Sequence, residues 1–263
     1  MRTIIWHKFV WERQTLKNLS RSYKRSIKWV RLHLAKAQVV YRSVVPQPII
    51  AAADATFFKR QLGIIVFRVP KLKRNIYWKE ISYEAISCYS DARTYLEQQG
   101  FKFKAIVLDG RPGVRAVFND IPVQMCQFHQ KQIINRYLTT RPKLQASIEL
   151  RSIVQSLCQL KENEFTNRLN NWYEKWTIFL KEKTFNPETR KWFYTHRRIR
   201  SAYRSLNKNL PYIFTYQKYP KLDIPNTTNS LDGSFTHLKG LVRVHRGITQ
   251  RLKRKIIDEI LAK

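Results

Sequence analysis

Two aspartates stand directly after apolar runs, where a carboxylate can serve as a metal ligand. Asp54 follows the apolar residues 49–53, and Asp109 follows the apolar residues 105–108. Two carboxylates at neighbouring strand ends repel each other unless a cation offsets their charge, and Mg²⁺ prefers such oxygen ligands. Paired ions in a site of this kind promote displacement at phosphate. For each aspartate taken alone, a turn or a helix cap is the alternative role.

The segments around these aspartates have the composition of short strands. Apolar and β-branched runs predict the strands, and apolar residues at helical spacing predict a helix that ends at Gly100. The order of the elements predicts a mixed α/β sheet whose later strands are parallel and joined by crossovers. The predicted strands cover residues 49–58, 63–69, 76–83, 105–109 and 122–126, and the predicted helices cover residues 84–99 and 114–118.

Residues 140–220 have a different pattern. Apolar residues recur three or four positions apart there, which predicts long amphipathic helices and an all-helical insertion. After this segment, Thr228 or Asn229 can cap a further helix, and a basic helix covers residues 249–262. We therefore predict four segments: a helix-turn-helix module at 1–45, the first part of the sheet domain at 46–139, the insertion at 140–220, and helices that complete the sheet domain at 221–263.

The first 53 residues carry 11 Lys and Arg against one acid, Glu12. Thr15 and Ser26 stand where N-caps would begin two short helices, a spacing typical of a helix-turn-helix. The second helix would leave Lys28 and Arg31 facing a DNA major groove. The alternative is an amphipathic helical pair with a solvated basic face. Lys24 stands where such turns often have glycine.

The charge of the whole chain restricts its partners. The 263 residues include 50 Lys and Arg against 18 Asp and Glu, a formal charge of +32. This charge favours nucleic acid as the partner over a membrane surface, and no apolar run has the length of a membrane span or of a secretory signal. We expect a cytoplasmic, nucleoid-associated protein. The three cysteines are too few for a disulfide framework or a four-cysteine zinc site.

Four short stretches, in this order, resemble the DDE transposases of bacterial insertion sequences, in the branch related to eukaryotic Mutator-like elements. The resemblance covers the chain from about Thr15 to its C-terminus. The matching stretches are Asp54-Ala55-Thr56, Val107-Leu108-Asp109-Gly110, Cys126-Gln127-Phe128-His129 and Thr227-Thr228-Asn229-Ser230-Leu231-Asp232-Gly233-Ser234-Phe235.

The resemblance implies a ribonuclease H-like fold interrupted by an all-α insertion. It implies that Asp54 and Asp109 are the first two metal-binding acids, and that Asp232 is the third, where the family usually has Glu. We expect two Mg²⁺ or Mn²⁺ ions as cofactors, and a homo-oligomer on double-stranded DNA at the element ends and the target. Relatives with the Thr-Thr-Asn motif often carry an N-terminal zinc ribbon, whereas this chain begins with the helix-turn-helix segment, and we predict no zinc.

Cys126 and His129 form a Cys-x-x-His pair. A zinc site needs four ligands, and the other cysteines and histidines show no partner spacing, which disfavours zinc. The resemblance places the pair beside the active site, where we expect it to support the catalytic centre or to orient DNA. The alternative is a buried cysteine at a strand end with a helix-capping histidine.

Two further groups of basic residues are candidates for DNA binding. Arg197 and Arg198 are interleaved with aromatic residues, which together offer phosphate contacts and stacking surfaces; a solvated helix face is the alternative. Lys239, Arg243 and Arg246 follow Asp232, on the side that a substrate phosphate would approach. We expect them to position DNA without specifying its sequence.

These observations predict a transposase that cleaves DNA strands and joins the freed 3′-hydroxyl to target DNA. All three acid positions are filled, which favours an enzyme over the alternative, a catalytically inactive, truncated transposase-derived DNA-binding protein. A structure-selective nuclease of the same fold is less favoured, because the helix-turn-helix and the helical insertion suit recognition of element ends.

Overall fold

A computed structural model describes residues 2–58 and 62–263, which divide into two compact units. The first unit comprises the described residues of segments 1–47, 54–101 and 229–263, and the second comprises 48–53 and 102–228. The strands are β1 (Pro48–Phe58), β2 (Leu62–Val69), β3 (Arg74–Ile81), β4 (Lys102–Leu108), β5 (Val123–Met125), β6 (Lys183–Asn186) and β7 (Lys191–Tyr194). The helices are α1 (Arg2–Val10), α2 (Leu16–Ser22), α3 (Ile27–Lys36), α4 (Ile86–Gln98), α5 (Pro112–Ala116), α6 (Gln127–Leu138), α7 (Gln145–Gln155), α8 (Glu162–Lys181), α9 (Arg197–Ile213), α10 (Thr215–Lys218), α11 (Asn229–Val244) and α12 (Gln250–Leu261).

Five strands form one mixed sheet in the order β3-β2-β1-β4-β5. β2 and β3 are antiparallel, whereas β4 is parallel to both β1 and β5. The strands begin and end within three residues of the predicted bounds. The predicted mixed α/β sheet, with parallel later strands, is therefore confirmed.

One hydrophobic core connects the N-terminal helices of the first unit to β2 and to the last two helices. Alternate residues of β2 point into this core, because side chains alternate between the two faces of a strand. The core residues are Ile5, Trp6, Phe9, Val10, Leu19, Val30, Leu34, Ala37, Leu62, Ile64, Val66, Leu231, Phe235, Leu238, Leu241, Val242, Ile256, Ile257, Ile260 and Leu261. Residues 2–47 thus lie in the same compact unit as α11 and α12. The domain borders at residues 45, 139 and 220 stay predictions.

The predicted helix starts near the N-terminus are confirmed. The Thr15 hydroxyl accepts a hydrogen bond from the Asn18 N–H at 3.2 Å, and the Ser26 hydroxyl accepts one from the Trp29 N–H at 3.2 Å. Lys24, between the two helices, has a φ of 49°, in the left-handed region that favours glycine. The turn therefore forms despite an unfavourable residue at this position.

The second unit contains the parallel strand pairs and the segment predicted as an all-helical insertion. Residues of α6, α7, α8 and α9 share a core around Leu150, Phe165 and Trp172. The helical prediction is correct for α7 to α10 but wrong for residues 183–194, where β6 and β7 form an antiparallel hairpin. The Asn186 side chain accepts hydrogen bonds from the N–H groups of Glu188 and Thr189, and this turn favours a hairpin over a continued helix.

Each helix among residues 2–58 and 62–263 is too short or too polar to cross a membrane.

A buried histidine makes the stability of the first unit depend on pH. His245 is 7% exposed, and its ring centre lies 4.0 Å from that of Phe9. Burial lowers the pKa of His245 to about 4, from an ordinary value of 6.5. Between these values the unfolded chain binds more protons than the folded chain, so the folded state loses stability as the pH falls from 6.5 towards 4.

We expect this histidine to cost the folded chain about 3 kcal/mol at pH 4 relative to pH 7. Urea unfolding at both pH values measures the loss in the parent chain, in His245→Phe, and in a control, His237→Phe, at an exposed histidine. The His245→Phe variant loses less stability on acidification than the parent, whereas His237→Phe behaves as the parent does. An equal loss in all three proteins contradicts the assignment.

Candidate active site

Asp54 lies on β1, directly after a run of fully buried alanines. Ala51, Ala52 and Ala53 are not exposed at all, and Asp54 itself is only 9% exposed. One carboxylate oxygen of Asp54 accepts a hydrogen bond from the N–H of Ala55 at 2.7 Å. Burial of a carboxylate disfavours its charged form, so a cation nearby would stabilise the ionised side chain.

Asp232 lies in the first turn of α11, in the same unit as Asp54. The helix buries Leu231, Phe235 and Leu238 in the core, which fixes the direction of its partly exposed face. A carboxylate oxygen of Asp232 lies within 4.8 Å of a carboxylate oxygen of Asp54, although most of the chain separates them in sequence. A divalent cation with a preference for oxygen ligands fits this donor pair, because it offsets the repulsion between two like charges.

Asp109 follows β4 in the second unit and accepts a hydrogen bond from the N–H of Arg111 at 3.1 Å. Gly110, the next residue, has a φ of 98°. A Cβ atom at Gly110 would lie 2.2 Å from the Cε atom of Met125, at the flexible end of that side chain, which would have to shift to make room. The Asp109-Gly110 turn therefore depends on glycine for its backbone conformation.

A buried arginine that the sequence analysis did not identify supports this turn from within the second unit. Arg115 is 7% exposed and donates hydrogen bonds to the Gly110 carbonyl at 3.1 Å and to the Asn209 amide oxygen at 2.6 Å. Asn209 in turn donates to the Gln130 amide oxygen at 2.7 Å. Burial lowers the pKa of Arg115, although the electrostatic effects of Tyr212 and Asp109 raise it. This network connects α6 and α9 to the turn that holds Asp109.

We expect Arg115→Leu to lower the free energy of unfolding by about 2–4 kcal/mol, because it leaves buried acceptors at Gly110 and Asn209 without their donor. Urea unfolding of this variant, compared with Arg204→Leu at an exposed position of α9, measures the loss. The control should change stability by less than about 0.5 kcal/mol. Equal stabilities of the two variants contradict a structural role for the buried network.

Cys126 and His129 bind the segment that leads into α11. The Cys126 sulfur accepts hydrogen bonds from the N–H and the hydroxyl of Thr228, both at 3.3 Å. The same hydroxyl lies 3.4 Å from Nδ1 of His129. Next to them, the Gln127 N–H donates to the Asn226 carbonyl at 2.9 Å. The Cys-x-x-His and Thr-Thr-Asn stretches are thus in direct contact within the second unit.

Two opposing effects act on the Cys126 thiol. Burial raises its pKa, but hydrogen bonds from His129 and Thr228 lower it, and the result lies below the ordinary value. Because the thiol is fully buried, this hydrogen bonding stabilises the fold at the start of α11. These contacts are consistent with the predicted supporting role of the pair, which stays a prediction.

The predicted DNA-binding residues lie on three helices or directly after one of them. Lys28 and Arg31 are exposed on α3, whereas Val30 and Leu34 are buried, as their spacing predicts. Lys239 and Arg243 lie on α11, and Arg246 is exposed just after it. Arg197 and Arg198 are exposed at the start of α9, where Arg198 donates to the Arg136 carbonyl at 2.7 Å.

No model of a known protein family matches the chain, and neither does any curated protein. Among solved structures, the chain is similar to the Drosophila P element transposase in its strand transfer complex. This match has 12% identity and a TM-score of 0.39, and it covers 100% of this chain and 91% of that one. The chain is also similar to an intasome of simian T-cell lymphotropic virus in complex with a PP2A regulatory subunit. This second match has 11% identity and a TM-score of 0.24, and it covers 76% of this chain and 66% of that one.

Proposed function

We propose that this protein is a DNA transposase of the DDE kind, which cleaves strands at the ends of an insertion sequence and joins them to target DNA. The observation that carries the proposal is the approach of the Asp54 and Asp232 carboxylates to within 4.8 Å in a chain of charge +32. Paired carboxylates suit divalent metal ions, and the overall charge suits a polyanionic substrate. Metal-dependent chemistry on DNA phosphates requires both features.

The register of the sheet supports Asp109 as a further acid of the proposed site. Ala52 on β1 lies opposite Val107 on the parallel strand β4. Asp54 and Asp109 each follow two residues later along these strands. Because adjacent parallel strands run in the same direction, we infer from this register and from the resemblance that Asp109 contributes to the proposed metal site.

The proposed reaction consists of two in-line displacements at phosphorus. In the first, water attacks a phosphate at the element end, the bond to the 3′-oxygen breaks, and a free 3′-hydroxyl results. In the second, this hydroxyl attacks a target phosphate, and the bond to the 3′-oxygen of the target strand breaks. When bound, Mg²⁺ or Mn²⁺ would supply stabilisation of the charge that develops on the phosphate oxygens. Asp54, Asp109 and Asp232 would hold two such ions.

The basic residues near Asp232 suit a path for the DNA backbone. Lys239 and Arg243 follow Asp232 by seven and eleven residues, which places all three on one face of α11. In this proposal they contact phosphates next to the one that reacts, while Lys28 and Arg31 of α3 contact a duplex as in a helix-turn-helix. We infer that the protein acts on double-stranded DNA as a homo-oligomer.

The test uses the full chain and duplexes from the genomic DNA that flanks its coding sequence. Fluorescence anisotropy measures binding with and without EDTA, and denaturing gels measure strand cleavage with Mg²⁺ or Mn²⁺. The proposal predicts binding without metal and cleavage only with metal, at fixed positions in the flanking duplex. Binding without cleavage in either metal indicates the alternative, an inactive DNA-binding protein. Equal cleavage of unrelated branched duplexes indicates a structure-selective nuclease.

A further inference from the structure

The β6–β7 hairpin places three aromatic side chains on one of its faces. In its register Phe185 lies opposite Trp192, and Lys183 lies opposite Tyr194. Because alternate residues of a strand share a face, these four side chains form one surface, which we call the hairpin face. The ring centres of Phe185 and Trp192 are 5.3 Å apart, and the Lys183 ammonium lies 5.5 Å from the centre of the Tyr194 ring.

The rings of the hairpin face are open to solvent. Trp192 is 66% exposed, Phe185 is 44% exposed and Tyr194 is 36% exposed. Exposed apolar side chains are ordinary when they are scattered, but three neighbouring aromatic rings form a patch that is typical of a binding surface. The hairpin therefore presents aromatic area that the described contacts of this unit leave available to a ligand.

Contacts from the arginines of α9 hold β7 in place. Arg200 of α9 lies with its guanidinium 3.5 Å from the centre of the Tyr194 ring and donates to the Leu180 carbonyl at 2.6 Å. On the opposite face, the Arg197 guanidinium lies 4.1 Å from the centre of the Phe193 ring. These contacts anchor β7 to α8 and α9 at Phe193 and Tyr194, so the strand that carries Trp192 is positioned before a ligand binds.

The charges around the hairpin face favour an anionic ligand. Lys183 is an exposed cation on the hairpin face, and Arg190 and Lys191 are exposed cations next to it in the hairpin. Of the nearby acids, Glu182 is engaged by His196 at 2.8 Å, and Glu188 lies in the turn. Aromatic rings surrounded by cations are the combination that binds nucleic acid strands, because bases stack on the rings while phosphates contact the cations.

We propose that the hairpin face binds unpaired bases of a DNA strand, through stacking on Trp192 and Phe185 and phosphate contacts to Lys183. Inside an intact duplex each base is already stacked on its neighbours, so it offers no free ring face to Trp192. The hairpin face therefore selects DNA with a single-stranded gap or end over intact duplex. This inference rests on the DNA-binding part of the proposed function and adds a preference for unpaired strands.

The test compares the full-length parent chain with Trp192→Leu, Trp192→Phe and a control, Ile178→Ala. Leucine keeps an apolar side chain but cannot stack, phenylalanine keeps a ring, and Ile178 is an 85% exposed apolar residue of α8. The probes are an oligothymidylate strand, an intact duplex, and the same duplex with a short single-stranded gap. Fluorescence anisotropy gives the dissociation constants, and thermal unfolding verifies that each variant folds as the parent does.

We expect Trp192→Leu to weaken binding of the strand and of the gapped duplex about tenfold, within a range of about 5- to 150-fold for one lost stacking contact. Binding of the intact duplex should change less than about twofold, and Trp192→Phe and Ile178→Ala should bind all three probes as the parent does.

If Trp192→Leu weakens binding of all three probes equally, or of none of them, the inference is overturned. Sedimentation tests whether a second copy of the chain occupies the hairpin face instead. If the parent chain is an oligomer and Trp192→Leu dissociates it, the inference is overturned. A parent chain that binds no duplex refutes the proposed function, whereas duplex binding with no preference for gaps refutes the hairpin inference alone.

Discussion

Asp54→Asn is expected to abolish metal-dependent strand cleavage while DNA affinity stays within about twofold of the parent value. Asparagine keeps the size of the side chain but removes the charge that holds a cation. Because metal ions contribute several kcal/mol of charge stabilisation at phosphate, we expect cleavage to fall about a thousandfold or more. Asp109→Asn should behave in the same way. Gel assays of cleavage and anisotropy assays of binding measure the two properties separately.

A second measurement tests the metal site without relying on activity. Mn²⁺ should raise the unfolding temperature of the parent chain, because a ligand that binds only the folded state stabilises it, and it should raise that of Asp54→Asn much less. The control is Asp91→Asn, at an exposed aspartate 3.8 Å from the Lys79 ammonium. This variant should respond to Mn²⁺ and cleave DNA as the parent does. Parental cleavage by Asp54→Asn removes Asp54 from the proposed site.

The position of Asp54 could be predicted because local sequence and fold agree there. A run of small and aliphatic residues predicts a strand buried on both faces, and residues 51–53 are fully buried. An acid directly after such a run must lie at the edge of the core. The same agreement holds for Thr15 and Ser26, whose hydroxyl groups cap the helices that follow them. At Asp54, Thr15 and Ser26, the sequence within a few residues is sufficient to predict the local structure.

The N-terminal helix α1 was not predicted, although its sequence contains a signal. Ile5, Trp6, Phe9 and Val10 are buried and recur four residues apart, as on one face of a helix. The intervening His7 and Lys8 gave the segment a mixed composition. The hairpin at 183–194 is not evident from the sequence for a related reason, because its aromatic residues directly precede the arginines of α9 and fit the same interleaved pattern.

The buried network around Arg115 could not have been predicted from one sequence. Arg115 and Asn209 are brought together by the packing of α9 against β5 and α6. Sequence position carries no information about such a pair, since an arginine in a basic chain is expected to be solvated. The approach of Asp232 to Asp54 is a similar case. The residues alone indicate Asp54 and Asp109 as a carboxylate pair, whereas Asp232 follows from the resemblance and its distance to Asp54 from the fold.

Asp232→Ala is expected to abolish cleavage, and Asp232→Glu is expected to preserve or raise it. The aspartate oxygen lies within 4.8 Å of an Asp54 oxygen, a separation that one cation can bridge, and a glutamate adds one methylene of reach to the same group. Asp232→Asn, which keeps the size of the side chain without its charge, should fail as the alanine variant does. Cleavage is measured for all four proteins and normalised to the folded fraction from thermal unfolding.

A purely structural role for Asp232 makes a different prediction. A carboxylate in the first turn of α11 interacts favourably with the positive end of the helix dipole, which is worth about 0.3–1 kcal/mol. In that case Asp232→Ala loses a little stability but cleaves DNA as the parent does. A control, Asp223→Ala, removes an exposed acid in the segment before α11 and should leave cleavage unchanged. For Asp232→Ala, the two roles predict different cleavage but similar stability. Undiminished cleavage by this variant would therefore exclude Asp232 from the active site.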